Sequence, residues 1–144
     1  MKRKLVGLLV TLAVAVGGLG VSSTPASASL PRCTGSSWRE ISPNALVRQP
    51  SPHSCILRRG DHDNLGVYAL QLTLNNCYRQ HIAIDLDFGP ATERALRNAQ
   101  AWERATSSPH LVVDGIYGPA TRTAMHWLVL EKGGQVCSQI ERIF

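Results

Sequence analysis

A short stretch that occurs twice constrains this chain more than any other feature. Asp85-Leu86-Asp87-Phe88-Gly89-Pro90-Ala91-Thr92 returns further along as Asp114-Gly115-Ile116-Tyr117-Gly118-Pro119-Ala120-Thr121, and at the same offset Ala95 is matched by Ala124. Each copy reads as a turn, a buried aromatic and a helix start. Glycine frees the backbone at the entry, and proline at the first helical position loses only a donor that had no partner. Two copies are too few for a solenoid, which needs at least three to bury a continuous core. The pattern therefore predicts a closed domain of three helices. The first starts near Leu65, with Asp63 or Asn64 as its N-cap, and carries Val67, Leu70, Leu74, Cys77 and Tyr78 on one face. The second places Ala95, Leu96, Ala99 and Trp102 on its apolar stripe, and the third Ala124, Trp127 and Leu128, with Leu130 or Glu131 at its end.

The N-terminus argues for export. Lys2, Arg3 and Lys4 precede an apolar run from Leu5 to Leu19, and Ala26-Ser27-Ala28 closes the segment as a cleavage site, so residues 1–28 read as a signal peptide. A run of about 15 residues broken by Gly17 and Gly18 is short of the roughly 20 that span a bilayer, so no membrane association is expected after cleavage. The segment also supplies three of the 15 basic residues, which leaves 12 against 10 acidic ones. That balance is too even for a nucleic-acid partner, which calls for clustered cations.

Cys33, Cys55, Cys77 and Cys137 form an even set in an exported chain and predict two disulfides. Their wide separation does not fit a zinc site, which draws its ligands from closely spaced pairs such as C-x-x-C. Three connectivities are open. If the lead-in from Leu57 to Gly60 runs back along the first helix, Cys55 reaches Cys77 and leaves Cys33 for Cys137. Residues 29–54, with Pro31, Pro43, Pro50, Pro52 and six serines, read as an irregular leader tied down by a disulfide, and residues 55–144 as the domain with a C-terminal tail.

Leu57-Arg58-Arg59-Gly60, then Val67, Leu70, Gln71 and Leu74, then the two Asp-x-x-aromatic-Gly-Pro-x-Thr turns resemble the peptidoglycan-binding-like domain of bacterial cell-wall hydrolases. The resemblance spans residues 55 to about 131. It implies an all-α, compact three-helix fold that holds an enzyme on the cell wall. Leu86 replaces the glycine usual in the first turn, which argues against a positive φ there. Ala99 stands where an aromatic is common, which leaves Trp102 to take over that packing. No catalytic domain is expected beside it, so the resemblance implies a binding role and no hydrolytic one.

The residues themselves agree. His53, His62, His81, His110 and His126 are scattered without metal-ligand spacing, and Asp61-His62-Asp63 reads as a polar turn. Asp85, Asp87, Glu93, Glu103 and Asp114 read as turn formers or helix-surface charges rather than as an acid pair for glycan hydrolysis. No catalytic residue, metal or cofactor is expected. Arg58, Arg59 and Arg122 offer forked donors to stem-peptide carboxylates, Tyr117 a ring for a sugar face, and Asp87 a polar group at the turn. The expectation is a secreted, non-enzymatic protein, extracellular or wall-associated, whose partners are peptidoglycan and a separately encoded cell-wall enzyme. A protein-interaction or inhibitor domain on the same scaffold and a small hydrolase with an unrecognised site are the alternatives.

Overall fold

The computed structural model describes residues 29–140; residues 1–28, on which the signal-peptide expectation falls, and residues 141–144 lie outside the described residues. Strand β1 (Gly35–Ser42) and strand β2 (Ala45–Ser51) form a hairpin. Helices α1 (Leu65–Tyr78), α2 (Pro90–Thr106) and α3 (Pro119–Ala124) follow. Strand β3 (His126–Glu131) and strand β4 (Gly134–Gln139) end the described chain. The four strands make one antiparallel sheet in the order β1-β2-β3-β4.

The all-α expectation is therefore corrected, and in two places. The N-terminal segment is not irregular, because it supplies half of the sheet. Its strand character is masked in the sequence: the inward residues of β2 are Ala45, Val47 and Gln49, so the alternation includes an amide. The third helix is also shorter than expected. Met125 takes φ −68° and ψ 147°, which stops the helix, and Trp127 and Val129 are fully buried with one residue between them, the period of a strand. Trp127, Leu128 and Leu130 belong to β3 and not to a helix.

Asn64 caps α1, its side chain accepting from the Gly66 amide at 2.8 Å. Pro90 and Pro119 occupy the first positions of α2 and α3 as the repeat requires. In α2 the buried stripe is Ala95, Leu96, Ala99 and Glu103, whereas Trp102 is 49% exposed and does not fill the space beside Ala99. Leu86 adopts φ 67°, close to the 72° of Gly115 in the second turn, so the turn geometry is kept despite a side chain there. A Cβ on Gly115 would lie 2.8 Å from Glu93 Cγ and 2.9 Å from Arg97 Nε, so a side chain in the second turn would force those two to shift.

One buried amide organises each repeat. The Gln71 side chain donates to Asp85 Oδ1 (2.7 Å), the Asp87 carbonyl (3.1 Å) and Thr92 Oγ1 (3.1 Å), and accepts from the Asp85 and Leu86 amides. Gln100, at the equivalent place in the second copy, donates to Asp114 Oδ1 (2.9 Å), the Ile116 carbonyl (3.0 Å) and Thr121 Oγ1 (3.1 Å), and accepts from the Gly115 amide (2.8 Å). Both glutamines are fully buried, so each helix is locked to the turn that follows it.

The lead-in runs across both turns instead of back along α1. Leu57 exchanges two backbone hydrogen bonds with Tyr117, Gly60 donates to the Phe88 carbonyl, and Phe88 donates to that of Asp61. Cys55 is thereby carried towards the N-terminus, where Cys33 donates to the Ile56 carbonyl. The disulfides are Cys33–Cys55 and Cys77–Cys137, which corrects the expected pairing. By loop length they stabilise the fold by about 3 and about 4 kcal/mol in the chain-entropy treatment. The core gathers around Leu57, Leu70, Leu74, Phe88, Leu96, Tyr117 and Trp127.

Replacing Gln100 by leucine keeps the volume but orphans the Gly115 amide, while the Ile116 carbonyl keeps only the Thr121 hydroxyl. One buried amide left without a partner should cost about 1 to 3 kcal/mol in urea unfolding. A loss under about 1 kcal/mol would remove the amide from its organising role.

Candidate functional site

The path of the lead-in decides which side chains share a surface. Stretched between the Phe88 and Tyr117 turns, residues 57–61 carry Arg58 and Arg59 outwards. The Asp61 carboxylate folds inward, accepting from the Arg58 amide at 2.8 Å and from Arg32 at 3.0 Å. Arg59 lies 2.6 Å from Glu93, which Arg97 meets at 3.0 Å from one turn further along α2. Asp87 Oδ1 is 3.2 Å from His62 Nδ1 and accepts from the Asp63 amide at 3.3 Å. The result is a shallow surface of alternating charge across the lead-in and the first turn. Asp85 is held below the usual carboxylate range by hydrogen bonding from Gln71, and Glu93 by Arg97 and Arg59.

Of the residues read from the sequence as ligand contacts, Arg58, Asp87 and Arg59, itself paired with Glu93, lie on this surface. Tyr117 does not. Its ring is fully buried and meets Trp127 edge-on at 6.0 Å, so it is a core residue, as Phe88 is in the other copy. Arg122 is half-buried in α3, its carbonyl accepting from the Trp127 indole at 2.9 Å. The Tyr117 hydroxyl is buried with no hydrogen-bond partner among the described residues, and burial pushes its pKa up, against a smaller opposing pull from Arg122.

A second polar cluster escapes the sequence reading. Glu103, taken for a helix-surface charge, is fully buried. At the offset of the repeat it is the counterpart of Leu74, a core position, and that correspondence is the signal that marks it as interior. Oε1 accepts from the Tyr78 hydroxyl, the His126 amide (3.0 Å) and His126 Nδ1 (2.7 Å). Oε2 accepts from Ser107 Oγ (2.7 Å) and Gln139 Nε2 (3.1 Å). Burial raises the Glu103 carboxyl, but the bonds from His126, Tyr78 and Ser107 outweigh it and hold the group below its ordinary range. Tyr78 is pushed up by burial and by the neighbouring carboxylate. An ionised carboxylate only accepts, so His126 Nδ1 carries the proton in this pair. Trp102 and Tyr78 pack edge-on beside the cluster, with Trp102 and His126 centroids 5.2 Å apart. Five donors on two oxygens make Glu103 the junction of α1, α2 and β3, a structural anion. Among the described residues no group of three or more His, Cys, Asp or Glu is arranged to hold a metal ion, and no helix is long and apolar enough to cross a membrane.

The fold and this surface define a protein of two helix–turn units closed by a sheet, with polar side chains displayed at the turns. Residues 63–125 match the model of the family described as "Putative peptidoglycan binding domain", a span that takes in all three helices and both turns but none of the strands. No curated protein and no solved structure matches the chain.

The burial of Tyr117 and of Glu103 can each be tested. Tyr117→Phe removes an unpartnered buried hydroxyl and should leave stability unchanged or raised by up to about 1 kcal/mol, whereas Tyr117→Ala should cost about 3 to 5 kcal/mol. A Tyr117→Phe protein of unchanged melting temperature that no longer bound its ligand would restore the residue to the site.

Because the folded Glu103 carboxyl titrates lower than the unfolded one, its contribution is complete above the unfolded value, about 4.3, and is lost as pH falls through the folded value. Melting temperature followed from about pH 6 to about pH 3 should therefore fall more steeply in the wild type than in Glu103→Gln. Parallel curves would show that the cluster is not ionised in the folded protein.

Proposed function

We propose that the protein is exported and acts outside the cell as a non-catalytic module that binds bacterial peptidoglycan through the lead-in and turn surface. The match of residues 63–125 to a peptidoglycan-binding family carries the reading. Two disulfides fit an oxidising compartment, and the charged, apolar and small-residue order of residues 1–28 fits export. The exposed guanidinium of Arg58 suits the carboxylates of stem peptides, and the shallow surface suits a polymer that offers many equivalent sites. A small contact area binds each site weakly, and repetition along the polymer supplies retention. A module of this kind would work beside a cell-wall enzyme encoded separately.

Co-sedimentation with purified, protein-free peptidoglycan tests the proposal. Retention is expected at low salt and should decline as salt rises, because exposed ion pairs are screened over about 10 Å at about 0.1 M. Arg58→Ala should weaken retention at an unchanged melting temperature. No retention at low salt rejects the binding reading. Release of soluble muropeptides by the pure protein rejects the non-catalytic one.

A further inference from the structure

A groove of about 230 Å³ opens where the sheet meets α1, away from the lead-in surface. Its most unusual wall is Trp38 on the edge strand β1, which is 53% exposed. Burial of so large a ring is a main source of folding energy, and here half of it is left in water. The ring is nevertheless fixed. Arg48 pairs with Trp38 across the β1–β2 ladder and lies 5.7 Å over its ring and 4.9 Å over that of Tyr68 on α1. Arg48 Nε donates to Ser36 Oγ at 2.8 Å, which locks the guanidinium between the two aromatics. Leu72 and Leu128 also line the groove, with the amides of Asn76 and Gln135 at its exposed border.

We propose that this groove is a carbohydrate site that takes an uncharged N-acetylhexosamine chain. A pyranose presents polarised C–H bonds on one face, which suit the negative face of an aromatic ring, and hydroxyl and acetamide groups at its edges, which need amide and guanidinium partners. Arg48 covers one face of Trp38 and one of Tyr68. The exposed half of the Trp38 ring therefore supplies the apolar platform, and the guanidinium edge and the two amides supply the polar partners. None of the residues lining the groove carries a carboxylate. It is also assembled before any ligand arrives, so binding does not have to order the aromatic stack. Five of its residues, Trp38, Arg48, Leu128, Leu130 and Gln135, lie outside the family-matched span, so the sheet adds the site to the helices. As a contact with the glycan strand of the wall the inference rests on the peptidoglycan reading, but its test does not.

The test is a titration of the oxidised, 15N-labelled protein with soluble N-acetylglucosamine oligomers. The Trp38 indole N–H should shift saturably, and Trp38→Ala and Tyr68→Ala should each lower affinity at least tenfold. Trp102→Ala, which removes an exposed ring elsewhere, should leave affinity unchanged, and Trp38→Ala, although it gives up a half-buried ring, should keep the dispersed spectrum of the folded protein. Absence of any Trp38 shift up to about 10 mM oligomer, beyond the weak range expected of a shallow site, overturns the inference. So do shifts that map to the lead-in instead. Sedimentation with walls separates the two readings: retention on walls without oligomer binding sinks only the groove, and oligomer binding without retention sinks only the wall module.

Discussion

A primary amide buried at the end of a glutamine is the constraint from which the architecture follows. Donor and acceptor sit side by side on one planar group, so Gln71 and Gln100 can each satisfy an Asx-type turn, a backbone carbonyl and a threonine hydroxyl at once. Leucine would leave the turn amides that bond the glutamine oxygen unpaired in the interior. Glutamate could accept from the turn amides but not donate to the carbonyls. The helix thus fixes the turn, the turn buries its aromatic, and the proline two residues after that aromatic starts the next helix. Because Phe88 and Tyr117 are both pinned this way, the lead-in can bond to both, and the surface bearing Arg58 and Asp87 acquires a fixed backbone.

This part of the structure was legible in the sequence because it is local. The Gly-Pro starts, the Asn64 cap, the apolar face of α1 and Ala95, Leu96 and Ala99 of α2 each arise within a few residues and appear where the spacing places them, whereas Trp102 lies off the buried stripe. The sheet was not legible, for a physical reason. Its register joins Ala45, Leu46 and Val47 to Glu131, Leu130 and Val129 near the other end of the chain, and nothing local encodes such a pairing. The run His126 to Glu131 satisfies helical and strand spacing equally well, and only the extended backbone of Met125 decides between them. The site divides along the same line. Arg58 and Asp87 lie on motifs and were found, whereas Glu103 becomes interior through partners contributed by α1, β3 and the chain after α2.

The disulfides show how the two halves are joined. A bridge from Cys55 to Cys77 requires a lead-in antiparallel to α1, which chain length permits. The backbone bonds to two turns leave no such path. In the pairing observed, Cys33–Cys55 fastens the segment before β1 to the lead-in, and Cys77–Cys137 fastens the end of α1 to β4. Both bridges link the sheet-forming ends of the chain to elements next to or within the helical segment. The sheet is therefore held as part of the domain rather than as an appendage, although residues 63–125 alone account for the family likeness.

That attachment explains why a charge sits in the core. In the first repeat Leu74 packs in the apolar core, and the helix it belongs to continues to Tyr78. In the second, the equivalent position must face a helix that has given way to a strand, and the change frees backbone groups that a continuing helix would have used. Glu103 answers this directly, accepting the His126 amide at the first residue of β3, while the Gln139 side chain bonds both Glu103 and the Ala124 carbonyl at the end of α3. A leucine there would leave the Tyr78 hydroxyl and His126 Nδ1 without their acceptor, while the His126 amide, Ser107 and Gln139 would keep only their other bonds, at a cost of about 1 to 3 kcal/mol for each donor left unpaired. The buried carboxylate is thus the local consequence of ending the third helix early, and the early end is what gives the sheet its third strand and the groove beside α1 its far wall.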